Sequence, residues 1–462
     1  MAMFAPQDAA FLIFESREHP MHVGALQVFK LPHGAKRDFV GQLYEESLKF
    51  TELRPLLRQR PRTPVSSVGQ LWWEKDEDVD LEYHVRPSAL PAPGRVRELL
   101  ALVSRLHGSL LDRHRPLWEF HLIEGLEGRR FATYTKIHHS LVDGVAGARL
   151  LTSSLTEDAD ATIPPFWADR DRGTQPTPEP DAEIKLGERL MGPIMSAGES
   201  ARGMAAGTVN LAKLATEMLR GQREGVSLPA PKTIWNGPIT GARRFAAQSW
   251  PIDRLKRAGA ASGATLNDMV LAMCSGALRR YLESVGALPD RPLVSLVPVS
   301  LALRGKKSGR EGGNAVGTVL CSLATDIADP RRRLTAIRAS METAKDAMAS
   351  MTPTQFQITG SLLLAAPLTL AAVPVAGGVV PPLFNLIISN VPGPLNPLYW
   401  NGARMESVYP VSIPFEGQGL NMTVLSSAGS MHFGIIGCRS NVPHLQRLLD
   451  YLEDSLAELE TA

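Results

Sequence analysis

The chain has 462 residues, with 49 lysines and arginines against 47 aspartates and glutamates, giving a net charge of only +2. That balance lacks the basic excess that nucleic-acid binding requires, and 44% hydrophobic with 21% charged residues is the composition of an ordinary globular protein. The three cysteines, Cys274, Cys321 and Cys438, lie far apart with no CxxC pair, so no disulfide framework or structural zinc site is legible and a reducing, cytosolic setting is expected.

The N-terminus, "MAMFAPQDAAFLIFESREHPMHVG", has no basic stretch leading into a long apolar run and does not read as a signal peptide. His22 to Leu31 alternates and carries β-branched residues, which predicts a strand. Arg37 to Leu48 has apolar residues at helical spacing, and Arg95 to Leu111 is a stronger amphipathic helix. "LWEFHLIEGL" and "RRFATYTKIHH" predict two strands of a hairpin. "SLVDGVAGARLLTSSL" then predicts a helix, with Ser140 as N-cap and Asp143 at N3.

Composition breaks at Thr156 to Glu183, a Pro-, Asp- and Thr-rich stretch that reads as an exposed linker, and helical segments follow to about Gln222. A second mixed block begins near Arg243. It holds a long helix from about Thr265 to Val285, a buried-type strand in "RPLVSLVPVSL", a strand in "NLIISNVPGPLNPLYW" that runs into turns, and an amphipathic helix in "NVPHLQRLLDYLEDSLAELE". The expected architecture is mixed α/β (α+β), with halves at 1–155 and 236–462 joined by a linker and connector helices over 156–235.

One tract stands out: Ala347 to Ala403 contains no Asp, Glu, Lys or Arg. Its apolar part is long enough to be tested as a membrane span. Pro367, Pro374, Pro381 and Pro382, with Gly377 and Gly378, break it. A spanning helix must satisfy its backbone internally, so the tract is read as two short apolar helices and a buried strand, forming core or a membrane-contacting surface.

Chemistry concentrates at "YTKIHHSLVDGVAG". Nine of the 11 histidines lie at or before His139, and histidine is the side chain best matched to proton transfer near neutral pH. Adjacent residues of an extended strand point to opposite faces. His138 and His139 are therefore expected to differ, one facing a cleft and the other packed. Three readings stay open on the residues alone: satisfied core histidines, a metal site of His138, His139 and Asp143, or a general base at a strand end. Diverging neighbours make poor joint ligands, so no metal is expected.

"HHSLVDG" resembles the HHxxxDG signature of the CoA-dependent acyltransferase superfamily. More specifically, the chain resembles the bacterial wax ester synthase/diacylglycerol acyltransferase family over nearly its full length. The supporting pieces are "DAAFLIFE", "PMHVG", "LDRHRPLWEFHLIEGL", "NGPITGARRFA", "GATLNDMVLA" and "NLIISNVPGP"; "VPVSLALRG" departs from the family's spacing by an extra Leu-Ala pair before Arg304.

This resemblance implies two chloramphenicol-acetyltransferase-like subdomains with an interfacial active site. It implies transfer of a long-chain acyl group from acyl-CoA to the hydroxyl of diacylglycerol or a fatty alcohol, making triacylglycerol or wax ester, with no cofactor and no covalent intermediate. No GxSxG nucleophile elbow is present. His139 is then the base, His138 its orienting neighbour, Asp143 a structural anchor paired with an arginine, and Gly144 clearance for an acyl chain. Asn267 and Asp268 are a helix cap or contribute to the substrate site. Arg113, Pro116, Leu117 and Trp118 brace the strand that delivers His139, and Asn390, Pro392 and Gly393 form a crossover or a turn. The implied location is cytoplasmic, peripheral to membrane or lipid inclusions. The rival readings are a condensation-type transferase using a carrier-protein thioester and a non-catalytic lipid-droplet protein.

Overall fold

The computed structural model describes residues 2–3, 6–62, 72–142, 144–170, 226, 228–300, 316–349 and 381–461. Into the first of two units run β1 (Ala2–Met3), α1 (Pro6–Phe14), β2 (His22–Lys30), α2 (Phe39–Leu48), β3 (Gln59–Arg62), β4 (Trp72–Lys75), α3 (Leu81–His84), β5 (Val85–Ala89), α4 (Val96–His107), β6 (Trp118–Leu126), β7 (Arg130–His138) and α5 (Gly144–Thr152). The second unit takes β8 (Arg243–Pro251), α6 (Ile252–Ala260), α7 (Leu266–Ser284), β9 (Val294–Ser300), β10 (Val316–Ser322), α8 (Pro330–Ala349) and β11 (Leu386–Pro392). The chain returns to the first unit for β12 (Tyr399–Trp400) and β13 (Ala403–Val411), then ends in the second with β14 (Leu420–Ser427), β15 (Ser430–Cys438) and α9 (Arg447–Thr461).

The sheet of the first unit has the order β12-β13-β2-β7-β6-β5, and only β5 and β6 run parallel. The β6–β7 hairpin turns on Gly128 and Arg129, both at positive φ, which matches the twist of the flanking strands. Register along β2 and β7 sets His22 opposite His138 and Gly24 opposite Lys136. Gly24 has no room for a side chain, because a Cβ there would sit 2.7 Å from the Thr135 carbonyl and 3.0 Å from the Tyr134 ring. α4 buries Leu99, Leu100, Val103 and His107 at helical spacing, with Glu98 in its first turn and Arg105 and His107 in its last, as the helix dipole favours.

In the second unit the sheet order is β10-β9-β11-β14-β15-β8. α7 packs into the core of this unit, and every residue from Asp268 to Leu278 is buried. A helix apolar on all sides is a core helix. Thr265 starts it: its hydroxyl accepts the Asp268 amide and the Asp268 carboxylate accepts the Thr265 amide, a reciprocal capping box. "NGP" and "NLIIS" meet in a buried network, where Trp235 Nε1 and Asn236 Nδ2 both donate to the Asn385 carbonyl at 3.0 Å and Asn385 Nδ2 donates to Asn236 Oδ1 at 2.9 Å.

The two units repeat one topology. β2-β7-β6-β5 and β8-β15-β14-β11 each place a hairpin beside an antiparallel strand, with a parallel fourth strand. Cys438 pairs with Arg243 as His138 pairs with His22. This is the duplicated α/β architecture that the resemblance implied.

Two expectations are corrected. The helix after β7 starts at Gly144 and Ser140 does not cap it, because the Ser140 hydroxyl lies 2.7 Å from His138 Nδ1. The stretch 236–462 is not one body: Gly393–Ile413 belongs with the first unit, where β13 pairs with β2. Among the described residues no helix is long and apolar enough to cross a membrane. Most of the uncharged tract, the connector helices and Arg304 lie outside the described residues.

Candidate active site

β7 ends at His138, and the chain turns at once, with the Leu141 amide donating to the His138 carbonyl at 3.0 Å. The strand end is fixed on both sides. The His138 amide donates to the Leu117 carbonyl at 3.0 Å, and the His139 amide to the Met21 carbonyl at 2.9 Å. These bonds hold the two residues in extended backbone, so their side chains diverge.

The His138 side chain has no solvent exposure, and its Nε2 lies 3.3 Å from Oε1 of Glu15, itself 1% exposed. The approach is oblique, so charge and dipole carry the contact more than a straight hydrogen bond does. The Ser140 amide donates to Nδ1 at 3.2 Å. A nitrogen that accepts carries no proton, which assigns the proton of neutral His138 to Nε2, facing the carboxylate. The Glu15 carboxylate also accepts from the Met21 amide at 3.2 Å and from Arg113 Nε and Nη2 at 3.1 and 3.0 Å. Burial opposes ionisation of Glu15, but His138, the Met21 amide and Arg113 outweigh it and hold its pKa below the usual carboxylate range.

His139 is half-buried, and its ring lies flat against Phe11 of α1, with centroids 4.1 Å apart and planes 20° apart. Of the two histidines it is the one with solvent exposure. His138, grouped with the catalytic residues in the sequence, is closed off from solvent.

A buried polar layer supports β7 on the same face as His138. Lys136 Nζ is 3.0 Å from Glu119 Oε2 and donates to the Leu106 and Ser109 carbonyls at 3.2 and 3.1 Å. It thereby ties the strand to the C-terminal end of α4. Burial opposes a charged Glu119, yet His121, Lys136 and Arg86 more than compensate and bring its pKa down to about 2. His22 is fully buried, and burial with the nearby His107 and Lys136 pushes its pKa well below the ordinary imidazole value. The "LDRHRPLW" segment braces as expected. Arg113 donates to the Leu12 carbonyl at 2.7 Å, Leu117 is buried against Leu12, and Trp118 donates to the Leu57 carbonyl at 2.9 Å and stacks on His84.

Asp143 lies outside the described residues. Gly144 opens α5 with an exposed backbone, and a Cβ there would meet no atom within 4 Å among the described residues. The packing of the described residues therefore does not demand glycine at this position. Asp268 is 5% exposed, occupied by the capping box and 3.9 Å from Arg338 Nε. Asn267 is half-buried, and its Oδ1 accepts from Asn390 Nδ2 at 3.5 Å. Pro392 and Gly393 are the crossover point between the two units. Among the described residues no three His, Cys, Asp or Glu side chains converge as a metal site.

Two contributors went unassigned in the sequence, Phe11 and Glu15. Both sit in "DAAFLIFE", and a carboxylate closing an apolar helix is the one local signal that a buried partner was needed.

The duplicated α/β fold defines a class, and solved structures share that fold. The starter condensation domain of rhizomide synthetase (TM-score 0.57, 13% identity, covering 100% of this chain and 94% of that one) and the first condensation domain of the CDA synthetase (0.56, 15%, 99% and 95%) have the same fold. The particular assignment comes from closer likenesses. The chain belongs to the wax ester synthase/diacylglycerol acyltransferase family: its catalytic-domain model matches residues 4–270 and its C-terminal-domain model residues 312–460. A probable diacylglycerol O-acyltransferase of Mycobacterium tuberculosis is 48% identical over 463 residues, covering 100% of this chain and 99% of the relative. The structure of the wax ester synthase/diacylglycerol acyltransferase from Marinobacter aquaeolei is 41% identical with a TM-score of 0.77, covering 100% and 99%.

Proposed function

We propose that this protein transfers a long-chain acyl group from acyl-CoA to the hydroxyl of diacylglycerol or a fatty alcohol, with His139 as general base. One observation carries the reading: His139 is reachable at the end of β7 while the adjacent His138 is locked behind it by Glu15 and Ser140. His139 takes the acceptor's hydroxyl proton as the oxygen attacks the thioester carbonyl. The tetrahedral oxyanion collapses, the C–S bond breaks, and the departing CoA sulfur takes the proton back from the imidazolium. A positioned base of this kind contributes roughly 10²–10⁴-fold. The thioester is already activated, so no acyl-enzyme is required. Gly144 leaves space for an acyl chain. Asn267 and Asp268 enter through the family resemblance, Asp268 as the residue that holds the helix start and Asn267 as an amide donor to substrate. Asp143 enters the same way, as an anchor.

The substrates partition into lipid, and a peripheral lipid-surface association is part of the proposal. Its support is the uncharged stretch 347–403, within which Leu395 is 87% exposed.

The test is purified protein with palmitoyl-CoA, offered diacylglycerol and hexadecanol side by side, with CoA thiol release measured and lipid products resolved. Triacylglycerol or wax ester formed in step with thiol supports the reading. No thiol release with either acceptor refutes it.

A further inference from the structure

One short segment at the end of α1 grips both histidines. Phe11 lies in the last turn of α1, and Glu15 directly follows the helix, four residues along the chain. Glu15 reaches His138 and Phe11 reaches His139. The helix is itself anchored, by Leu12 packed with Leu111 and Leu117 and by Arg113 on the Leu12 carbonyl.

The reaction described above uses His139 and gives Phe11 no task. Phe11 is only half-buried, whereas its neighbour Leu12 is buried in the core. What Phe11 does contact is the imidazole, nearly parallel and at stacking distance. The outer torsion of a histidine is broad and roughly two-fold, so a ring at a strand end is poorly fixed by its own rotamer. A flat partner on one face restricts that freedom and keeps water from that face.

We propose that Phe11 is a positioning residue for His139: its ring sets the plane of the catalytic imidazole, while Glu15, just past the helix end, fixes the neighbouring histidine. The proposal rests on His139 being the base. Phe11 has no hydrogen-bonding or ionisable group, so its effect passes through ring orientation alone and falls on kcat.

The test compares Phe11→Leu, which keeps apolar volume but not the flat ring, with Phe11→Tyr, which keeps the ring. Phe11→Leu is expected to lower kcat between about 10- and 100-fold with KM for palmitoyl-CoA unchanged, the scale of a small misplacement of a reacting group. Phe11→Tyr is expected to stay within about threefold of the parent. Carbethoxylation of His139 by diethyl pyrocarbonate, followed by peptide mass spectrometry, reads the stack without any turnover. The exposed His114 serves as internal standard, and His139 is expected to react several-fold faster in Phe11→Leu. Wild-type kcat in Phe11→Leu overturns the proposal, and so does equal loss in Phe11→Tyr. If the parent protein shows no acyl transfer, the functional reading fails by itself. In that case an unchanged His139 carbethoxylation rate in Phe11→Leu overturns the stacking role.

Discussion

Glu15 Oε1 lies 3.3 Å from Nε2 of His138, with both side chains sealed from solvent. The same oxygen accepts the Met21 amide, and the Met21 carbonyl accepts the His139 amide. One carboxylate thus sits against the buried histidine and, through the single residue Met21, is linked to the backbone of the half-buried one. Glu15→Gln keeps shape and removes charge. It is expected to lower kcat about 10- to 100-fold while KM stays unchanged. Glu15→Ala also strips Arg113 and the Met21 amide of their acceptor and is expected to cost a further ~1–3 kcal/mol of stability. Steady-state kinetics with a urea titration separate the two effects, and unaltered kcat in Glu15→Gln removes Glu15 from the account.

Gly144 separates packing from function. A Cβ there meets nothing within 4 Å among the described residues, and alanine is favoured over glycine in a helix by up to about 1 kcal/mol. Gly144→Ala is expected to melt at or above the parent temperature and to lose turnover with palmitoyl-CoA. Full turnover in that variant means the space beside the helix start is not used by substrate.

His432 gives the pH dependence a sign. It is buried beside the Ser249 hydroxyl, and burial pushes its pKa down to about 4. Above the unfolded value of about 6.5 both states are neutral and stability is at its plateau. As pH falls below that, the unfolded chain takes up the proton and the folded chain does not, so stability is lost until the pH reaches about 4. The loss over this window is about 3 kcal/mol. His432→Asn is expected to flatten the urea midpoint between these limits, and an equally steep profile assigns the loss elsewhere.

Leu395, 87% exposed in the uncharged stretch, is the accessible point at which to test lipid association. Leu395→Glu is expected to reduce co-sedimentation with phosphatidylcholine vesicles without changing the melting temperature. Equal sedimentation removes this residue from the contact surface.

What was legible in the sequence follows a physical line. Strand β7, the hairpin before it and helix α7 were readable because periodicity and turn chemistry are local. The divergence of His138 and His139 followed from strand geometry. Ser140 was misread because "SLVD" carries a capping signature, but the His138 ring two residues back took the hydroxyl instead. Thr265 was passed over in favour of its neighbours, although "TLND" holds the same signature, and there the helix does use it. Phe11 and Glu15 touch residues far along the chain, and nothing in an N-terminal apolar helix says which strand end it will meet. The transfer of β13 to the first sheet was hidden for the same reason, since strand order is a property of pairing and not of composition.

The central claim is that His139, and not His138, moves the proton. The decisive measurement is CoA thiol release from palmitoyl-CoA with diacylglycerol or hexadecanol by His139→Ala, with folding verified by circular dichroism. The expected result is loss of at least about 100-fold in kcat with substrate binding retained. Near-parental turnover in folded His139→Ala would contradict it.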